Sequence, residues 1–231
     1  MMEPMNNKTI IAIHGAGMQA EIWERLPLPC LPLSLPGHDK TFSALLPSIE
    51  EMAAWVMDQL ATQPPASVVL VGHSMGALVA LEAAQQASVA ALVLMGAAAR
   101  MPVHPDLLRQ AAEKPDAAAG MIVKWGISAL CADAAVLQEV LKKQMQALTL
   151  FNDLQACDVY QRGAEVAKTI DKPALVIAGM DDKLARSADG KILAELLPQG
   201  RLHVLQNCGH MPMLEKPAET AAEIRRFTEG L

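Results

Sequence analysis

The stretch Val68-Val69-Leu70-Val71-Gly72-His73-Ser74-Met75-Gly76 decides how this chain is read. Its first four residues are apolar and mostly β-branched, which makes a buried strand. They run into a G-x-S-x-G, and the following Ala77 to Ala87 is rich in alanine and leucine and reads as a helix. A serine on a sharp turn between strand and helix is held in a strained backbone position, and its hydroxyl projects from the end of the sheet. Glycines flank it because side chains there would collide across the turn. The amide of Met75, at the helix N-terminus, points where an oxyanion would form. The alternative is a helix start in which Gly and Ser serve only as turn and cap; the strand–turn–helix context argues against it.

Working outward, Lys8 to Ile13 is a short strand leading into His14-Gly15-Ala16-Gly17, a Gly-rich turn that brings amides to a ligand or simply connects. Cys30 to Leu35 carries prolines and reads as an irregular or outer strand. Ser48-Ile49-Glu50-Glu51 has capping-box spacing and opens a helix to about Ala61. Val89 to Met95 is the next buried strand. Strands and helices alternating at this length predict βαβ units, hence an α/β fold with a mostly parallel sheet flanked by helices.

The rhythm changes after Ala97. Residues 98–167 hold no convincing strand and read as a helical insertion. Pro105 opens one helix, and Asp133 caps another running to about Leu148. Met101, Met121, Trp125, Met145 and Leu148 either face inwards as a lid lining a substrate pocket or glue the insertion to the core. Strands resume at Pro173–Ala178 and Arg201–Leu205, and Pro217 leads into a terminal helix. The division expected is a core of residues 1–97 and 168–231 with the lid at 98–167.

The 231 residues are enough for a sizeable core. Net charge is −6, with no basic run or basic–aromatic face, so nucleic acid is not an expected partner. The N-terminus lacks the basic and apolar regions of a signal peptide, and the longest nearly apolar stretch, 87–99, is too short to span a bilayer. The four cysteines, Cys30, Cys131, Cys157 and Cys208, lack metal-ligand spacing and read as free thiols in a cytoplasmic protein. No metal or cofactor is expected.

A serine hydroxyl becomes a nucleophile when a base takes its proton, and the base needs a partner to hold its tautomer. Ser74, Asp182 and His210 each follow the end of an expected strand. Parallel strands bring such ends to one edge of the sheet. Asp181 is as close to its strand as Asp182, so proximity does not choose between them. His38, His73, His104 and His203 are weaker candidates, each in a turn, the elbow, the insertion or a strand.

The chain resembles lid-bearing members of the α/β-hydrolase superfamily. H-G-A-G (14–17), L-P-G-H-D (35–39), V-G-H-S-M-G (71–76), I-A-G-M-D-D (177–182) and C-G-H-M-P-M-L-E-K-P (208–217) carry the resemblance. It implies Ser74 as nucleophile, Asp182 as acid, His210 as base, and an oxyanion hole from the amides of Ala16 and Met75. The Gly179-x-x-Asp182 spacing favours Asp182, leaving Asp181 to face solvent or cap the turn. Asp153 resembles the usual return from lid to core. Two departures stand out: too few residues precede His14 for the family's usual hairpin, so the sheet is expected to be shortened at that edge, and Asp39 replaces a turn glycine.

These features predict a serine carboxylesterase that cleaves small-molecule esters through an acyl-enzyme. The resemblance also admits C–C hydrolases, acyl transferases, haloperoxidases and triad-bearing lyases. Basic residues in the insertion, Arg100, Arg109, Lys114, Lys124, Lys142 and Lys143, keep an anionic lyase substrate open. A non-enzymatic small-molecule receptor on the same fold is the other class.

Overall fold

The computed structural model describes residues 8–38 and 44–231; Asp39 and the N-terminal seven residues lie outside the described residues. The chain runs β1 (Thr9–Ile13), a short 3-10 helix (Ala20–Trp23), β2 (Leu31–Leu33), α1 (Ile49–Leu60), β3 (Val68–His73), α2 (Met75–Ala83) and β4 (Val89–Met95). Five helices follow without a strand: α3 (Pro105–Glu113), α4 (Pro115–Gly126), α5 (Ala134–Gln144), α6 (Leu150–Val159) and α7 (Gly163–Thr169). The chain then completes the sheet with β5 (Ala174–Gly179), α8 (Ser187–Leu196) and β6 (Gly200–Leu205), and closes with α9 (Pro212–Glu215) and α10 (Pro217–Glu229).

The strands form one six-stranded sheet in the order β2-β1-β3-β4-β5-β6, parallel at every pairing. β3 and β5 are buried along their whole length, as continuous apolar runs require when helices cover both faces of a sheet. β2, short and bearing Pro32, takes the edge beside β1. From β1 the chain steps outward to β2, then returns past β1 to build β3 and the rest. The order therefore reverses between β1 and β3, which pair from Thr9↔Val68 to Ile13↔Gly72. A crevice opens at the C-terminal ends of strands flanking such a reversal. The H-G-A-G loop and the serine turn both leave the sheet there.

Ser48 caps α1 as its spacing implies, with Oγ accepting the Glu51 N–H at 3.2 Å. α2 is apolar apart from Glu82 and almost wholly buried. Lys172 donates to the carbonyls of Ala84 and Gln86 just beyond its end, at 2.5 and 2.8 Å, supplying partners the helix cannot.

Two helices end earlier than read: α2 begins at Met75 and ends at Ala83 rather than Ala87, and α5 is the other. α5 stops at Gln144, four residues before Leu148. The Gln146 N–H turns to the carbonyl of Gly17 at 2.6 Å instead of continuing the helix, and its side chain reaches Gln19 and the carbonyl of His38. Residues 145–149 thus form a loop strapped to the core, and Leu148 projects outward, 88% exposed. α7 packs against α2 and α8.

Candidate active site

Ser74 stands between β3 and α2 with φ 53° and ψ −118°, a region that residues with a side chain rarely occupy. Its N–H donates to Met95 on β4 at 2.9 Å, and its carbonyl accepts from Ala77 at 2.9 Å, so the turn is held from both sides. A Cβ at Gly76 would lie 2.4 Å from the carbonyl oxygen of His14, and one at Gly72 2.2 Å from that of Gly76. Only glycines let α2 begin so close to β1 and hold the strained serine between them.

The amides of Ala16 and Met75 donate to no acceptor among the described residues. Met75 opens α2, so its N–H also lies at the positive end of the helix dipole. The loop carrying Ala16 is fixed from behind. His14 is fully buried; its Nδ1–H donates to Gly15 O at 2.9 Å and its Nε2 accepts from Leu35 N–H at 3.1 Å. That pairing needs a neutral ring, and burial, with the nearby His38, lowers its pKa to about 4. Gly17 N–H donates to Asp153 Oδ2 at 2.7 Å.

Across the crevice, His210 Nδ1 lies 2.8 Å from Asp182 Oδ2, with both side chains almost fully buried. The other carboxylate oxygen accepts the N–H groups of Leu184 and Ala185, each at 2.8 Å. Asp182 is thus anchored by its own loop and aimed at one imidazole nitrogen, the arrangement that fixes a histidine tautomer. Asp181 turns elsewhere: its Oδ2 accepts the Ser128 hydroxyl at 2.6 Å. It meets the loop after α4 rather than solvent or its own turn, which corrects the expectation for it.

His73 lies behind this pair, its ring 4.9 Å from that of His210. Its Nε2 donates to the His210 carbonyl at 2.9 Å. Burial, reinforced by His210, holds its pKa well below the ordinary histidine value, so it serves as a neutral brace. Glu215, not singled out from sequence, is buried and accepts amides on both sides of His210. Nothing in the spacing of C-G-H-M-P-M-L-E marks that glutamate as inward-facing. Burial pushes the Cys208 thiol up, and the adjacent Glu215 adds to it, which keeps the sulfur protonated and unreactive.

Ser74, Ala16 and His210 line one cavity of about 200 Å³. Its walls are mainly apolar, from Met101, Leu107, Ile122, Trp125 and Leu154, and exposed His104 and Lys183 mark its open side. Of the four lid residues singled out as pocket candidates, Trp125 is in this wall; Met121, Met145 and Leu148 are not. Leu148 is carried outward by the early end of α5, and Met145 packs its terminal methyl toward Gly17. None of the basic residues considered for an anionic substrate, from Arg100 to Lys143, lines the cavity. Arg109 is spent on Asp106 and Glu113 of its own exposed helix face. Among the described residues no group of His, Cys, Asp and Glu is arranged to hold a metal ion, and no helix is long and apolar enough to cross a membrane.

The chain is similar to a pimeloyl-[acyl-carrier protein] methyl ester esterase of Aromatoleum aromaticum, at 31% identity over 98% of this chain and 100% of that one. It is 29% identical to lipase LipV of Mycobacterium tuberculosis, over 96% of this chain and 94% of the lipase. Among solved structures, a thermophilic esterase superposes with a TM-score of 0.85 at 25% identity, covering 96% of this chain and 90% of the esterase. Residues 10–223, nearly the whole described chain from β1 into α10, match the family described as alpha/beta hydrolase, and with that match the chain belongs to the alpha/beta hydrolase family.

Proposed function

We propose that this protein is a carboxylesterase that hydrolyses small esters through an acyl-enzyme on Ser74. The observation that carries the reading is that His210, held by Asp182, lines the same mainly apolar cavity as the strained serine. In the first half-reaction Ser74 Oγ bonds to the ester carbonyl carbon while His210 Nε2 takes its proton. The amides of Ala16 and Met75 donate hydrogen bonds to the negatively charged former carbonyl oxygen. The bond to the alcohol oxygen then breaks, and His210 returns the proton to the leaving alcohol. In the second half-reaction water adds to the acyl carbon with His210 again as base, and the carboxylic acid leaves as Ser74 regains its proton. Asp182 keeps Nδ1 protonated and stabilises the imidazolium.

The mainly apolar walls favour an uncharged acyl chain over an anionic one. The names of the relatives, a methyl ester esterase and a lipase, support ester chemistry with a small alcohol or an apolar acyl group. The lid of residues 98–167 then selects the acyl chain above a core of 1–97 and 168–231. Four free cysteines fit a reducing, cytoplasmic setting.

A serine-directed phosphonate tests the reading. One label per chain, with complete loss of chromogenic-ester turnover, is expected, and Ser74→Ala should take no label and lose roughly 10⁶-fold in kcat. Equal labelling of Ser74→Ala would remove the nucleophile assignment. Stoichiometric ester binding without turnover would favour a receptor.

A further inference from the structure

The Glu215 carboxylate is 7% exposed and stands at the end of α9. Its Oε1 accepts N–H groups from Gly209 at 3.0 Å and Met211 at 3.1 Å. Its Oε2 accepts Gly209 again at 2.9 Å and Ser128 at 2.8 Å. One side chain thus holds the backbone on both sides of His210 and, through Ser128, the lid loop after α4. That loop returns two further ties. Gly126 O accepts the N–H of His210 itself at 2.8 Å, and the Ser128 hydroxyl donates to Asp181, next to Asp182.

There is little slack in this arrangement. A Cβ at Gly209 would lie 2.7 Å from Gly126 O, 2.8 Å from Ser128 N and 3.1 Å from Glu215 Oε1. Burial pushes the Glu215 carboxyl up from its ordinary value, while the amides of Ser128, Gly209 and Met211 pull it back. An apolar side chain of this size would escape that desolvation but leave three amides without an acceptor.

We infer that Glu215 is a positioning residue for His210, and that the lid segment 126–128 is part of the frame that sets the imidazole against Ser74. The inference rests on the reading of His210 as the general base. Glu215 touches neither substrate nor reacting atoms; it acts by fixing the backbone from which the imidazole hangs. Reacting groups displaced by about 1 Å can lose on the order of 10² in rate.

The test compares Glu215→Gln with His210→Gln on a short chromogenic ester. Glutamine keeps the volume and one acceptor oxygen but sets an NH₂ against an amide donor. In folded Glu215→Gln, kcat should fall roughly 10- to 100-fold while KM stays within about threefold, because the cavity wall is untouched. Phosphonate labelling of Ser74 should slow in proportion. Wild-type kcat in folded Glu215→Gln, with His210→Gln inactive, would overturn the positioning role alone. Wild-type kcat in His210→Gln would overturn the base assignment beneath it. Should Glu215→Gln fail to fold, hydrogen exchange in the unmodified protein decides. The amides of Ser128, Gly209 and Met211 should open together with one free energy, whereas fast, separate exchange of Ser128 would sink the coupling.

Discussion

His38 Nε2 and the Gly17 N–H share a single oxygen, Oδ2 of Asp153, at 2.8 and 2.7 Å. Asp153 comes from α6, in the helical segment between β4 and β5, His38 from the loop after β2, and Gly17 from the loop after β1. Both ring nitrogens of His38 face oxygens, the second being Pro36 O at 3.2 Å, so only the imidazolium satisfies them together. Burial opposes that charge, but the Asp153 hydrogen bond and carboxylate outweigh it and raise the pKa above its ordinary value. The His38–Asp153 contact therefore holds Gly17, next to Ala16, whose amide the proposed mechanism uses.

Asp153→Asn should test that support. The substitution removes the charge His38 needs, and breaking one side of a buried pair costs about 3–5 kcal/mol. A urea midpoint lowered by a corresponding amount is expected, with kcat on a short ester reduced about tenfold as the Ala16 donor loses its fixed position. Wild-type stability would mean the pair contributes nothing net. Wild-type kcat in a destabilised variant would uncouple it from the oxyanion loop.

Stability should fall both above and below about pH 6.5, for different histidines. The folded pKa of His38 is raised, so its contribution is complete below about 6.5 and is lost as pH rises through the native value. His14 is the reverse: held neutral with a pKa of about 4, it costs stability as pH falls from 6.5 to 4, by roughly 3 kcal/mol in all. His73 adds to that acid loss, whereas Glu215, with its raised pKa, works against it below that value. Urea midpoints measured across this range should drop below pH 6.5, and His14→Asn should flatten the drop. An equally steep acid limb in that variant would assign the loss to other groups.

The proposed acid partner of His210 is tested by ranking two neighbours. Asp182→Asn sets an amide against His210 Nδ1 and favours the wrong tautomer, a change that can cost on the order of 10⁴ in kcat. Asp181→Asn still offers an oxygen to the Ser128 hydroxyl, so a loss of no more than about fivefold is expected. The reverse ranking, with both variants folded, would contradict the geometry in which only Asp182 meets the imidazole.

Sequence pattern and structure agree most closely where burial is two-sided. Val89–Met95 is read and observed over the same residues, because a strand covered on both faces must be apolar throughout. The serine turn is legible for a similar reason: its glycines answer a local steric demand. What pattern cannot show is a polar contact made at long range. Gln146 ends α5 by meeting Gly17, 129 positions away, and that one bond carries Leu148 to the surface. Glu215 reads as an ordinary charged residue, since its partners are amides with no signature of their own. Asp153 stands out as a return point, but His38, 115 residues earlier, does not announce itself as its partner.

Substrate selection should follow the cavity wall rather than the apolar lid residues at large. Leu107 on α3 and Ile122 and Trp125 on α4 face the space above Ser74. Enlarging Ile122 to Phe fills part of a cavity of only about 200 Å³, so it should exclude longer acyl chains first. Each methylene lost from an apolar pocket is worth about 0.8 kcal/mol, close to fourfold in kcat/KM. On a panel of esters differing in acyl length, Ile122→Phe should therefore steepen the fall in kcat/KM by roughly that factor per carbon beyond the length that still fits. Trp125→Ala should do the opposite and extend the accepted length, at the cost of stability expected when a partly buried aromatic is removed. Leu148→Ser, on the outer surface, should change neither the length profile nor the stability by more than about 0.5 kcal/mol. A uniform loss across the panel in Ile122→Phe would mean that the acyl chain lies elsewhere, and a profile that shifts with Leu148 instead would place it against the outer side of the lid.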